Sequence, residues 1–326
     1  MFHKFPFSGV INMRKFLFTC FFSTISAFGL FSCGMHDIFQ DGTITETKMV
    51  EALQEALVLG SKTAAFNLGD SSCESNITAI GECATGYLGN KLVEILLPDT
   101  VKDVLDKISS FTNSINSLSP GIKTALQTAV GTQYNSLFEL SRYGDSIKVA
   151  LNRGAERAAP ASVDVFKKAI FGMSFSDARE VLLGNSTAAT SYLHTTTYDD
   201  LQEAFSPFLE EPLNLLNPNK YWRPIVSNYN SFAKTYSNFK NQFSISSSAL
   251  PGLPYEAEAL PGDISAYLAN YATGKALDGL FLMVGKQETK LRADPWGTVS
   301  SLGDFISDTV GDLLSDVFGK AKDGSL

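Results

Sequence analysis

The stretch ETKMVEALQEALVLGSKTAAF (residues 46–66) decides the class of this fold. Met49, Leu53, Ala56, Leu57, Gly60 and Ala64 recur at spacings of three and four, which puts apolar or small groups on one face of a helix. Such a face has to be buried against other elements. Thr45 stands where a side-chain oxygen caps a first turn. Outward from this helix, similar patterns fill most of the chain. Asp99 opens a helix expected to end near Phe111, and residues 115–121 form a break. Residues 122–159 are helical in pattern, interrupted near Gly131 and Gly144, until Pro160 stops the run. Further helices are expected over 161–172, over 177–183 behind Ser174 or Ser176, over 187–196 behind Ser186, and over 198–216 with a kink near Pro207. Thr197 followed by Asp200 resembles a capping box, and Gly184 supplies a stop. Asn217 and Pro218 begin the next helix, which carries Trp222 to about residue 239. Residues 263–293 give a long helix or helix pair broken around Thr273 and Gly274, and 298–319 a last amphipathic helix.

Two stretches depart from this pattern. Val93, Ile95 and Leu97 alternate around Glu94 and are ended by Pro98, which reads as a strand. Residues 241–261 gather Ser, Pro and Gly, as a linker or long surface loop does. The expectation is a mostly α protein: a multi-helix, bundle-like globular domain over residues 46–320, with at most one or two short strands near 92–97.

The N-terminal stretch, residues 13–33, reads as a lipoprotein signal. Arg14 and Lys15 supply a short basic region, residues 16–31 are apolar and uncharged, and Leu30-Phe31-Ser32-Cys33 closes the segment. That order places Cys33 as the acylated N-terminus of the mature chain, carrying palmitate-class acyl groups. Met13 is then a better start than Met1, because the basic region begins with Met-Arg-Lys. Residues 1–32 would be a signal peptide and 33–45 a lipidated tether. Gly34 in place of Asp favours the outer membrane under enterobacterial sorting rules. Phe31 is bulkier than a residue at that position usually is. A secretory signal cut after Gly29, giving a soluble periplasmic or secreted protein, is the alternative, and a retained membrane helix is a third reading.

Composition fits an exported, acidic chain. Of 26 basic and 34 acidic residues, loss of Lys4, Arg14 and Lys15 with the signal leaves 23 against 34, a formal charge of −11. Such a chain repels phosphate backbones, so nucleic acid is not an expected partner. Cys73 and Cys83 are the pair left beyond Cys20 and Cys33, and a disulfide between them suits an oxidising compartment. Free thiols are the alternative. A zinc site lacks neighbouring ligands, since His36 and His194 are distant in sequence.

Several constellations carry candidate chemistry. Arg153, Glu156 and Arg157 lie within one helical turn, and Asp177, Arg179 and Glu180 open a nearby helix. They form either a charged cleft able to bind an anion or move a proton, or an ion network with an acid at a helix start. Asp304, Asp308, Asp312 and Asp316 recur every four residues opposite Leu302, Phe305, Ile306, Val310, Leu313 and Leu314. That stripe is a solvated face or a docking ridge for a basic partner; a Ca²⁺ site is the weaker alternative, since side chains along one helix rarely converge on one ion. Leu280, Phe281, Leu282 and Met283 form an apolar run around a helix, as in a core, a protomer interface or the wall of an apolar cavity. The sequence holds no Gly-x-Ser-x-Gly, no phosphate-cradling glycine loop and no His-Glu-x-x-His. No cofactor or metal is expected.

Two blocks also carry a resemblance. LNRGAERAAP (151–160), Phe166, Ala169, Ile170, Met173, Asp177-Ala178, Leu183-Gly184 and AATSYL (188–193) form the first; ALDGLF (276–281), Glu288, Arg292 and Pro295 form the second. With Val317-Phe318-Gly319, the first helix and the segment ending at Pro98, they resemble a bacterial domain-of-unknown-function family, number 4197, over most of residues 46–320. The resemblance implies an exported helical protein or lipoprotein, with no assigned activity, cofactor or catalytic residue. The resulting expectation is a lipid-anchored cell-envelope protein facing the periplasm, acting as a non-catalytic binding or interaction module for an envelope protein partner. A carrier or sensor of a small apolar ligand and a carboxylate-dependent hydrolase are the alternatives.

Overall fold

The structure, a computed structural model, describes residues 46–71, 85–131, 133–242, 244, 246, 263–294 and 298. Among these, nine α-helices and one short 3-10 turn (Ala159–Ala161) account for the regular structure, and the multi-helix class is as the sequence indicates. The helices are α1 (Glu46–Gly69), α2 (Asp99–Asn116), α3 (Pro120–Val130), α4 (Gln133–Ala158), α5 (Ser162–Phe171), α6 (Phe175–Leu183), α7 (Ala188–Leu216), α8 (Pro218–Gln242) and α9 (Ile264–Ala293). Residues 299–319 of the last expected helix, the expected tether and most of the 241–261 loop lie outside the described residues.

Three long helices build the centre. α7 packs along α9 and across α4, and α1 lies on the other side of α9. In α1, Met49, Leu53, Ala56, Leu57 and Ala64 are buried, so the face expected from their spacing is the one that packs. α9 is buried nearly all round, with Lys275, Asp278, Leu282 and Lys286 forming its exposed stripe. Leu280, Phe281, Met283 and Val284 thus belong to the core.

The structure departs from the sequence expectations at several breaks, each for a packing reason. α4 runs unbroken through Gly144, whose missing side chain makes room for Leu105 of α2. α2 continues to Asn116, five residues beyond the expected end. Residues 188–216 form one helix, because Thr197 does not cap a new start. Its buried hydroxyl donates to the Leu193 carbonyl at 2.6 Å, a bond made inside a continuing helix. α9 likewise passes through Thr273 and Gly274 without a break.

No strand forms near 92–97. The alternation is real, since Val93, Ile95 and Leu97 are buried and Leu92 and Leu96 exposed. Its hydrogen bonds go elsewhere: the Asn152 side chain of α4 accepts from the Ile95 N–H at 2.8 Å and donates to the Ile95 carbonyl at 2.8 Å. One side-chain amide therefore does what a neighbouring strand would do.

The crossing of α4 and α7 is unusually close. Pro207 and Pro212 both lie inside α7, and Pro212 has no N–H to give the Phe208 carbonyl four residues earlier. That carbonyl faces Gly154, where an added Cβ would stand 2.6 Å from its oxygen. Gly154→Ala should therefore destabilise the fold by about 1–3 kcal/mol through forced separation of the helices. Gly274→Ala, at a position with nothing within 4 Å, should stabilise it by about 0.5–1 kcal/mol through helix propensity. Urea unfolding of the two variants checks both signs.

Candidate functional site

Three places concentrate polar groups. The first is the carboxylate of Glu156 on α4, buried to 1% exposure. Its Oε1 accepts the backbone N–H groups of Tyr87 and Leu88 at 3.1 and 3.0 Å, and its Oε2 accepts Arg153 Nη1 at 2.6 Å. Arg153 also donates to the Ser71 carbonyl at 3.0 Å. The chain approaches the carboxylate through Gly86, which has φ +72°, and a Cβ there would fall 2.8 Å from Oε1. Tyr87 is fully buried and donates its hydroxyl to the Ala276 carbonyl of α9 at 2.7 Å. Burial, reinforced by the Glu156 carboxylate, pushes that phenol far above the usual tyrosine range. With the Asn152 bridge, residues 85–98 are clamped between α4 and α9.

The second is Glu288 of α9, 5% exposed. Oε1 accepts the Ala189 N–H at 2.9 Å; Oε2 accepts the Thr190 N–H and hydroxyl, each at 2.8 Å. Thr187, the residue before α7, makes no side-chain cap, so α7 is capped from another helix. One turn on, Arg292 pairs with Glu288 at 2.8 Å and donates to the Val181 and Leu182 carbonyls at 2.7 and 3.3 Å. A carboxylate meets the positive start of α7, and a guanidinium the negative end of α6.

The third is an open groove of about 310 Å³ between the end of α7 and the starts of α8 and α9, lined by Glu210, Asn214, Asn217, Asn219, Asp263 and Ser265. Asn217 closes α7 in the left-handed conformation at φ 49°. Asn219 holds two helix starts together: its Oδ1 accepts the Ile264 N–H at 2.8 Å and its Nδ2 donates to Asp263 Oδ1 at 3.0 Å. Asp263 Oδ1 also accepts the Ala266 N–H at 2.9 Å. Glu210 and Asn214 are exposed on the α7 wall.

Of the sequence candidates, the structure brings Arg153 and Glu156 together and sends the others elsewhere. Arg157 pairs at the surface with Glu211 of α7 at 2.9 Å. Asp177 closes a capping box with Ser174, and those hydrogen bonds hold its carboxyl below the usual aspartate range. His194 is exposed, its ring 4.6 Å from that of Phe281 and 5.1 Å from that of Tyr198. Cys33, Cys73, Cys83, Asp304, Asp308, Asp312 and Asp316 lie outside the described residues. In sequence, Glu288 and Arg292 are one pair four residues apart on a helix that also carries Lys275, Asp278, Lys286 and Lys290, so spacing alone does not single them out.

Chemically, neither buried carboxylate is open to a substrate, since each is enclosed and takes up backbone N–H groups. Among the described residues no group of three or more His, Cys, Asp or Glu side chains is placed to hold a metal ion. No described helix is long and apolar enough to cross a membrane. The apolar crevice between α1, α7 and α9, beside Leu57, Leu193 and Val284, measures only about 10 Å³. That is room for at most about one water.

Glu288→Ala should cost about 3–5 kcal/mol, because it strands Arg292 and two helix-start N–H groups. Adding Arg292→Ala should cost less than the sum of the single substitutions, as a double-mutant cycle in urea will read. At the groove, the Ala266 N–H and then the Asn219 amide hold the Asp263 carboxyl below its ordinary value of 3.8. A carboxyl lowered by folding stabilises the native state above that value, and the contribution is lost as pH falls through the folded value. The stability difference between wild type and Asp263→Asn should therefore be full at neutral pH and vanish in strong acid, as unfolding at a series of pH values will show.

No curated protein and no solved structure matches the chain. A family model described as "Protein of unknown function (DUF4197)" matches residues 126–305, which takes in α4 to α9, both buried Glu–Arg pairs and the groove. The first helix and the clamped segment at 85–98 precede the matched region. The chain belongs to the DUF4197 family.

Proposed function

We propose that this chain is a lipid-anchored protein of the cell envelope, acylated at Cys33 and facing the periplasm. Its helical domain acts there as a non-catalytic binding module for a protein partner. The basic-apolar-cysteine order of residues 14–33 supports the anchor. The outer membrane and a Cys73–Cys83 disulfide complete the reading.

The groove at the end of α7 is the observation that carries the binding role. Its walls present side-chain amides from Asn214 and Asn217 beside the exposed carboxylate of Glu210. Neutral amides match the N–H and C=O groups of a polypeptide, and the carboxylate selects a basic side chain. The buried carboxylates, by contrast, serve the fold, which leaves a hydrolase with no support from Glu156 or Glu288.

Glu210 and Asn214 are not among the residues that lock the helix starts, so Glu210→Lys with Asn214→Lys tests the groove without loosening it. A photo-reactive residue at the exposed groove position 266 in intact cells should give a discrete protein adduct. The double substitution should reduce that adduct at least about ten-fold through charge reversal and lost hydrogen bonds. An adduct of unchanged yield would place the partner elsewhere. Mass spectrometry of the mature chain should find acyl groups on Cys33; an unmodified cysteine would remove the anchor.

A further inference from the structure

The α5–α6 corner presents three large apolar side chains to solvent: Phe171 at 58%, Phe175 at 38% and Leu183 at 47% exposure. Its position in the fold gives them a meaning. Gly69, at the end of α1, lies against Pro160, and Gln54 of α1 donates to the Ile170 carbonyl at 3.0 Å. α5 therefore runs antiparallel to α1 and delivers its C-terminal end toward the end of the bundle where α1 begins. That is the end at which the chain arrives from Cys33. The thirteen residues from Cys33 to Glu46 span at most about 45 Å when fully extended.

We propose that the α5–α6 tip is a second membrane contact, seating Phe171 and Phe175 in the interfacial zone of the lipid bilayer. The proposal rests on the acylation of Cys33 argued above. The charges on this corner balance, with Lys167, Lys168 and Arg179 against Asp164, Asp177 and Glu180. With the whole chain acidic, the contact is apolar rather than an attraction to anionic headgroups. Zwitterionic lipid is therefore sufficient and salt does not release the tip. The acyl group alone would leave the domain free to swing; a second apolar foothold fixes which end faces the membrane.

The fold supplies its own control. Leu215 is more exposed, at 82%, but lies at the far end of α7 from the Glu288 cap. At 1.5 Å per residue that is roughly 40 Å from the start of α7. The acylated full-length mature protein is reconstituted in phosphatidylcholine vesicles with brominated acyl chains, as Phe171→Trp and as Leu215→Trp. Emission from Trp222 and Trp296 is subtracted using the unsubstituted chain. The emission added by Phe171→Trp should fall about two-fold or more against unbrominated vesicles, in low and high salt alike, as for a ring at acyl-chain depth. Leu215→Trp should be unaffected. Equal emission from both variants, with or without bromine, overturns the membrane contact and leaves the tip to a protein partner. The denatured mass of the same sample reports acylation of Cys33 independently, so an absent anchor is told apart from an idle tip.

Discussion

Hydrogen-bonding groups at the ends of chain segments have to be satisfied when they are buried, and this fold meets that requirement with carboxylates from other helices. Glu156 collects the N–H groups of Tyr87 and Leu88, and Glu288 those of Ala189 and Thr190. In both cases an arginine on the same helix, three or four residues on either side, pairs with the acid and reaches on to carbonyls of a further segment. A buried carboxylate without such partners would be strongly unfavourable, and so would the stranded N–H groups. Each pair therefore fixes the relative position of three pieces of backbone. The packing of α1, α4, α7 and α9 depends on that registry.

This economy bears on function. The charged residues that most resemble an active site in sequence are the ones the architecture spends on itself. What remains at the surface is a polar groove at one end of α7 and an apolar tip on the α5–α6 corner. Both are open surfaces rather than enclosures, and the proposed contacts rest on them. The dense packing around α9, with a crevice of about 10 Å³, agrees with this division.

The helical class and the buried face of α1 were legible because period and burial coincide there. Met49, Leu53 and Ala56 needed no tertiary information to be placed. Gly144, Thr197 and Gly274 suggest breaks by local preference alone, yet a single glycine or threonine costs too little to end a helix whose neighbouring turns are buried. Gly144 answers to Leu105, and Thr197 satisfies its hydroxyl on its own helix. At 92–97 the alternation gave the right buried side chains and the wrong hydrogen-bond partner, since nothing near Ile95 in sequence announces Asn152. The Arg153–Glu156 pair was visible by spacing, but its targets were not. The groove could not be read at all, because its walls are ordinary surface residues brought together by three helix ends.

The capping of α7 and α6 by one helix also orders events in time. Glu288 and Arg292 sit near the end of α9, and α9 is the last long helix of the described chain to leave the ribosome. Until it does, α7 has no cap at its start and the α6 terminus no cation, while α1 has α5 beside it but not α9. A nascent chain that stops short of residue 288 can make the Glu156 and Asn152 contacts of α4 but not the cap of α7. The junction of α6 and α7 thus closes last, after the N-terminal helices have found one another.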